Sequence, residues 1–334
     1  ITATLSDVKG NLLSISDETA LLYGIYLQES LNWERVTLDI GGSLFKSRFE
    51  SSSIEYGKYD YTKGKYDYNT SIYPNQDLYT QDYTFFSPKI QAGYALAKGV
   101  NLYASLSRAQ QTPSQSEISA NKTYGKPDLK AATATNYEVG LKSRSKRHSL
   151  DLALYVMPIK DEIIQIYDPA GSYYANAGKT NKKGLELSAS YRVTDELTIG
   201  GNYAYSNYTY DQFTESNSSG SFVRDGNYLP YIPKHQYTLM ASWISPTGFK
   251  ATLRSTTWGK YYVDNANSAT YTPPTFITDL LVGYSKDRHD FSLNIANILD
   301  KHYASEVKKD MRTGALSYSA APVRTIMAHY SYKF

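Results

Sequence analysis

Read in twos from the carboxyl terminus, Phe334, Tyr332, Tyr330, Ala328 and Ile326 form an apolar and aromatic row. Lys333, Ser331, His329, Met327 and Thr325 form the alternate row. Successive side chains of a strand point to opposite faces, so this is a strand with one greasy face and one wet face. It runs to the last residue and stops on a phenylalanine. In a water-soluble sheet such an edge invites edge-to-edge association. In the wall of an outer-membrane β-barrel the same pattern is required: lipid outside, water or a plug inside, aromatics at the interface.

Mean hydropathy is −0.49, and no run approaches the ~18 apolar residues of a membrane-spanning helix. Barrel strands escape that criterion because every second residue faces a polar lumen. Among aromatics, 34 Tyr stand against 10 Phe and 3 Trp, a choice that suits interfacial girdles and ligand-facing loops alike. No cysteine is present, which excludes disulfides, thiolate metal sites and a Cys nucleophile. A net charge of +3, with no basic block longer than the Lys142–Arg147 turn, gives no footprint for nucleic acid. The chain opens on Ile1 with neither an initiator Met nor a signal peptide, so a processed chain or a fragment is expected.

Period-2 rows recur from about residue 20 onward: Val36, Leu38 and Ile40; Ile90, Ala92, Tyr94 and Leu96; Leu150 to Val156; Leu185 to Tyr191; Tyr237 to Trp243; Phe291 to Ile295. About thirteen strands are predicted, and no amphipathic helix. Residues 1–19 read as the tail of a loop. Connections alternate between short and long. The short ones lie at Asn32–Glu34, Ala97–Gly99, Arg144–Arg147, Thr194–Glu196, Pro246–Gly248 and Lys286–His289; the long ones cover 47–83, 108–133, 158–182, 207–235, 260–274 and 299–321. Outer-membrane barrels sort their connections in this way, short on the periplasmic side and long outside. Trp33, Tyr94, Tyr191, Trp243, Phe249, Tyr284 and Phe291 lie near the short turns, where a periplasmic aromatic girdle is expected. The fold class is therefore all-β, a transmembrane antiparallel up-and-down β-barrel. An odd number of strands cannot close such a barrel by antiparallel pairing, so the wall is expected to be part of a larger one.

Several segments, in order, resemble the C-terminal part of TonB-dependent outer-membrane receptors, the ferric-siderophore type in particular. They are Phe86–Ile90, Val100–Ser105, Gln111–Ser114, Asn136–Lys142, Asn181–Glu186, Pro233–His235, Asn297–Tyr303 and Pro322–Arg324 ahead of the last strand. The resemblance covers nearly the whole chain. It implies a plugged barrel of ~22 strands, of which residues 1–334 supply about the last thirteen. The plug, the first strands and the segment that engages TonB are not recognisable in this sequence. The implied function is capture and import of a ferric siderophore, with no covalent chemistry and no cofactor. Implied partners are the chelate, TonB, outer-membrane lipid and lipopolysaccharide, and the barrel assembly machinery, reached through a terminal signature of Tyr330, Tyr332 and Phe334. The alternatives are a passive porin, or a receptor of the same family for haem, cobalamin or copper.

Residues 57–63 are nearly duplicated seven positions on, giving Tyr59, Tyr61, Tyr66 and Tyr68 between charges. Such a segment extends two strands beyond the membrane and offers rings and phenols to a chelate. Arg108, Tyr124, Tyr173, Tyr174, Arg224 and Trp258 lie near predicted extracellular strand ends and complete the candidate ligand contacts. The five histidines show no metal-ligand spacing, and no motif pins a Ser, His and Asp together as a hydrolase requires.

Overall fold

Alternation along each strand decides what its two faces meet, and cross-strand register decides whether those faces join into continuous surfaces. The computed structural model describes residues 14–55, 58–60, 63–67, 76–168, 171–310 and 313–334. It begins with β1 (Ser14–Trp33), β2 (Val36–Glu55), the hairpin β3 (Lys58–Asp60) and β4 (Lys65–Asp67), β5 (Gln76–Ala97) and β6 (Val100–Gln111). The helix α1 (Gln115–Thr123) comes next, followed by β7 (Ala132–Arg144), β8 (His148–Lys160), the hairpin β9 (Ile163–Asp168) and β10 (Gly171–Asn176), and β11 (Lys179–Arg192). After β12 (Leu197–Gln212) come the hairpin β13 (Thr214–Asn217) and β14 (Gly220–Val223), then β15 (His235–Ile244) and β16 (Phe249–Trp258). The chain ends with the pair β17 (Tyr261–Tyr262) and β18 (Thr270–Tyr271), β19 (Ile277–Lys286), β20 (His289–Ala296), the hairpin β21 (Ala304–Lys309) and β22 (Leu316–Ala320), and β23 (Thr325–Tyr332).

Among the described residues one 13-stranded sheet joins β1, β2, β5 to β8, β11, β12, β15, β16, β19, β20 and β23, hydrogen-bonded in chain order. This is the expected meander. By internal contact the chain falls into two units, one reaching to Leu27 and including Gly42–Phe86, the other holding Gln28–Gly41 and Ser87–Phe334. Within the first, Tyr59 pairs Tyr66 across the β3–β4 hairpin. Tyr61 and Tyr68 lie outside the described residues, as do the side chains of Tyr59 and Tyr66. With 20 residues in β2 and 22 in β5, both strands are about twice as long as the ~9–11 residues of a membrane crossing. The expected strand extension is therefore present, and β1 takes in Ser14–Thr19 as well, correcting the loop reading of that stretch.

In the second unit the apolar rows are contiguous. Leu102, Leu141 and Leu152 pair in succession, and Leu152 pairs Leu187; one step along, Ala104, Val139, Leu154 and Leu185 do the same. Near the short turns Phe249 pairs Tyr284, Tyr284 pairs Phe291 and Phe291 pairs Tyr330, a ladder of rings across four strands. Ile326, Ala328 and Tyr330 continue the rows of Ile295, Leu293 and Phe291, so the terminal strand presents its greasy row on the same side as the rest. The alternate face carries Tyr103, Glu138, Lys142, Asp151, Glu186 and Arg254. A wall with one charged face and one apolar face has no core of its own. The buried apolar side chains, among them Ile166, Tyr210, Phe213, Leu229, Val263 and Val307, lie instead at the long-connection end.

Every long connection of this unit is structured. One carries α1, and the others carry the hairpins β9–β10, β13–β14, β17–β18 and β21–β22. The nine-residue helix is an addition to a fold that is otherwise all-β, as expected. Its signal was local, since Ser114 accepts from the Glu117 N–H while the Glu117 carboxylate accepts from the Ser114 N–H. This is a capping box, and it starts a helix without any apolar stripe.

Candidate functional site

Buried backbone must find partners, and in loops without a long ladder side chains supply them. Asparagines do so here. Asn121 of α1 donates to the Pro127 and Tyr174 carbonyls at 3.0 and 2.9 Å and accepts from the Tyr174 N–H at 2.7 Å, which fastens the helix to β10. Asn265 accepts from the Tyr210 hydroxyl at 2.7 Å and donates to Glu215 at 2.9 Å. Asn267 accepts from the Tyr228 N–H at 2.7 Å and donates to its carbonyl at 2.8 Å. Around these ties Ile166, Tyr173, Ala177, Tyr210, Phe213 and Leu229 form one apolar cluster. The connections are thus a packed body rather than a set of independent loops.

Two hollows open in it. The first, about 360 Å³, is walled by Tyr231, Trp258, Tyr261 and Tyr303, with Gln236 and Glu306 at its edge. Trp258 and Tyr303 stack with ring centroids 6.4 Å apart, and Tyr261 lies 6.4 Å from Tyr231 and 5.7 Å from Tyr271. Tyr231 holds a left-handed backbone, φ 63°, and its N–H is bonded to the Tyr262 carbonyl at 2.7 Å. That conformation is uncommon for an aromatic residue and fixes where its ring points. Burial, foremost, pushes the Tyr231 and Tyr261 phenols above their usual range, so both stay protonated donors at neutral pH. Gln236 and Trp258 also line a hollow of about 740 Å³ on the charged face of the wall, so the aromatic hollow leads directly onto that face. The second hollow at this end, about 390 Å³, is lined by Tyr124, Lys126, Asp168, Tyr173 and Ser218. The Lys126 ammonium lies 4.1 Å from the Tyr173 ring centroid, a cation–π contact. A further groove between Ala92, Ala104, Val139 and Leu154 lies on the apolar outward rows.

The family model for the "TonB dependent receptor-like, beta-barrel" matches residues 3–298. The chain belongs to this family. It is 27% identical over 236 residues to the catecholate siderophore receptor Fiu of Escherichia coli K12, a match covering 66% of this chain and 30% of that protein. It is 26% identical over 290 residues to the ferrioxamine receptor of Yersinia enterocolitica, covering 84% of this chain and 36% of the relative. The fold superposes on the closed form of the ferric-catecholate import receptor Fiu with a TM-score of 0.71 at 22% identity, over 96% of this chain and 45% of that one. The chain spans less than half the length of these relatives. As a TonB-dependent receptor wall it lies in the outer membrane of a Gram-negative bacterium. Its long connections are then extracellular and its short turns periplasmic.

Against that frame the candidate residues divide. Trp258 walls the aromatic hollow; Tyr124 and Tyr173 line the second one, although Tyr173 is largely core and donates to the Ser216 carbonyl at 2.5 Å. Tyr174 is half-buried beneath α1, placed by Asn121. Arg224 is committed to Glu215 at 2.7 Å, with 16% of its own side chain and 4% of its partner's exposed, so its part is to hold the loop body together. Arg108 shares the parity of Leu102 and Leu106 along an unbroken β6–β7 register, which puts it on the outward face and away from both hollows. Tyr231, Gln236, Tyr261 and Tyr303 were not anticipated. One signal for them lay in the crowding of Trp258, Tyr261 and Tyr262 within five residues of a strand end.

One clasp ties two connections and senses acid. Lys309 of β21 bonds Asp264 at 2.6 Å, and Ser268 and the Ala269 N–H also bond that carboxylate. Burial pushes the Asp264 carboxyl up, but the hydrogen bonds from Lys309 and Ser268 outweigh it, leaving a net shift below the ordinary range. A folded pKa below the unfolded one gives stabilisation that is complete above the unfolded value, about 3.9, and is lost as pH falls through the folded value. Limited proteolysis of the 299–321 connection is therefore expected to stay flat from pH 8 to about pH 4 and to rise only below it.

Proposed function

We propose that the chain is the carboxy-terminal wall and loop body of a receptor that captures a ferric siderophore outside the cell and imports it at the expense of TonB. The observation that carries this reading is Trp258, shared between the extracellular aromatic hollow and the charged inner face. Stacked indole and phenol faces receive planar chelating rings, and protonated tyrosines donate to chelate oxygens. Tyr124 and Lys126 offer a second ring with a cation, suited to the anionic part of the same ligand. Iron enters as cargo inside its chelate. Among the described residues no group of three His, Asp or Glu side chains comes together to hold a bare ion.

A passive pore needs no packed loop body with an aromatic pocket, which is why active capture is the better reading. A plug and the first strands of a ~22-stranded barrel complete the receptor we propose. The test is growth in iron-limited medium on ferric catecholates, hydroxamates and citrate, with and without the gene. One chelate class is expected to rescue growth only when both the gene and TonB are present. Rescue independent of TonB, or equal growth on every chelate without the gene, overturns the reading.

A further inference from the structure

Within the capture function proposed above, on which this rests, we propose that the aromatic hollow is a cation cage that takes a positively charged ammonium arm of the iron chelate. Tyr231, Trp258, Tyr261 and Tyr303 wall the hollow, and each is half-buried, which leaves ring surface open to a guest. The face of an aromatic ring is the negative end of its quadrupole, so several rings around one space attract an ammonium group. The Tyr231 hydroxyl is already bonded to Tyr167, which leaves its ring for the guest. At about 360 Å³ the hollow is near the small end of ligand pockets, ~300–1,000 Å³, and suits one arm rather than a whole chelate.

Charge decides against an anionic guest. Among the residues lining the hollow Glu306 alone carries a charge, and it is negative. Its partner is Lys308 at 3.0 Å, with 51% of the Glu306 side chain and 60% of the Lys308 side chain exposed. A pair so open to water is worth little, so the carboxylate is free to turn to a guest. An ammonium arm gains both the rings and this carboxylate, whereas a carboxylate or phenolate arm is repelled by it.

Other rings at this end carry a cation of the protein's own. Lys234 lies 3.7 Å from the Tyr228 ring centroid, Lys126 4.1 Å from that of Tyr173, Lys182 5.7 Å from that of Tyr208 and Lys301 6.0 Å from that of Phe276. Among the described residues no lysine or arginine stands over Tyr231, Trp258, Tyr261 or Tyr303. These four rings surround an open space and are left for a cation from outside. The chelate so inferred is charged both ways, negative beside Lys126 in the second hollow and positive beside Glu306 in the first.

The test uses the receptor purified from outer membranes in a maltoside detergent, which brings no ammonium group of its own. Choline and its uncharged carbon isostere, 3,3-dimethylbutan-1-ol, are titrated against the fluorescence of Trp258, identified as the signal lost in Trp258→Phe. Choline is expected to bind at least about tenfold more tightly than the isostere. Glu306→Gln should weaken choline about fivefold and leave the isostere unchanged, a split that a merely structural role would not produce. For the chelate class that supports growth, the ferric complex with a free amine on its arm is then compared with the same complex acetylated at that amine. The amine form is expected to bind about tenfold more tightly. Equal affinity for choline and the isostere, or no response to Glu306→Gln, overturns the cage. Equal binding of the amine and acetylated complexes overturns its part in capture and leaves the capture function standing. Preference for choline when no chelate supports growth overturns the capture function and leaves the cage standing.

Discussion

Leu154→Arg is expected to abolish stable assembly of the wall. Leu154 sits midway along β8, 46% exposed, between Val139 and Leu185 on the outward row. An arginine at the midplane of a barrel's lipid face costs about 2–4 kcal/mol, a large fraction of the ~5–15 kcal/mol by which proteins are folded. Ser188→Arg places the same charge on the alternate face, where Ser188 pairs Asp151 and Asn202. That variant should assemble normally. Heat-resistant migration of the folded protein on electrophoresis separates the two outcomes. Reversed behaviour would mean that the outward and inward rows have been assigned to the wrong faces, and equal behaviour would contradict a wall with one lipid face.

Arg224→Ala is expected to loosen the extracellular body and leave the wall intact. It strands the Glu215 carboxylate, 4% exposed, with only Asn265 among the described residues still bonded to it. Breaking one side of a buried ion pair costs about 3–5 kcal/mol, because the remaining charge stays desolvated. Replacing both partners by apolar residues, Glu215→Leu with Arg224→Met, removes that penalty and is expected to restore most of the loss. The measurement is protease sensitivity of the 207–235 connection alongside heat-resistant migration. Cleavage should rise in the single variant and fall back in the double one, with migration unchanged in both.

These two outcomes separate what was legible in the chain from what was not. The wall was legible because one face is buried in lipid along every strand: Leu150 to Val156 and Leu185 to Tyr191 announce their register by parity alone. The short turns follow from the gaps between such rows. Even Arg108 was readable in this way, for it continues the parity of Leu102 and Leu106, although its place at a strand end suggests a ligand contact. The site was less legible because it obeys no period. Tyr167, Tyr231 and Tyr303 lie far apart in sequence, yet the first two are hydrogen-bonded to one another and the latter two wall one hollow. Tyr167 lies on the six-residue strand β9, while Tyr231 and Tyr303 lie outside any strand, in connecting segments too short for a pattern to emerge. They are held by asparagine side chains and by packing, which only the folded chain reveals. Arg224 illustrates the difference: position alone marks it as an anion contact, and its true partner is a glutamate nine residues away.

The three tryptophans allow a direct test of the central claim. Trp33 and Trp243 lie beside short periplasmic turns, and Trp258 alone stands in the extracellular aromatic hollow. Equilibrium binding of radiolabelled ferric chelates, catecholate first, should be measured on outer membranes carrying the protein or its Trp258→Ala variant. Saturable binding is predicted, weakened about 10–100-fold by the substitution, corresponding to about 1.4–2.8 kcal/mol, with heat-resistant migration unchanged. Absence of saturable binding for every chelate, or identical affinity with Trp258→Ala, would contradict the account.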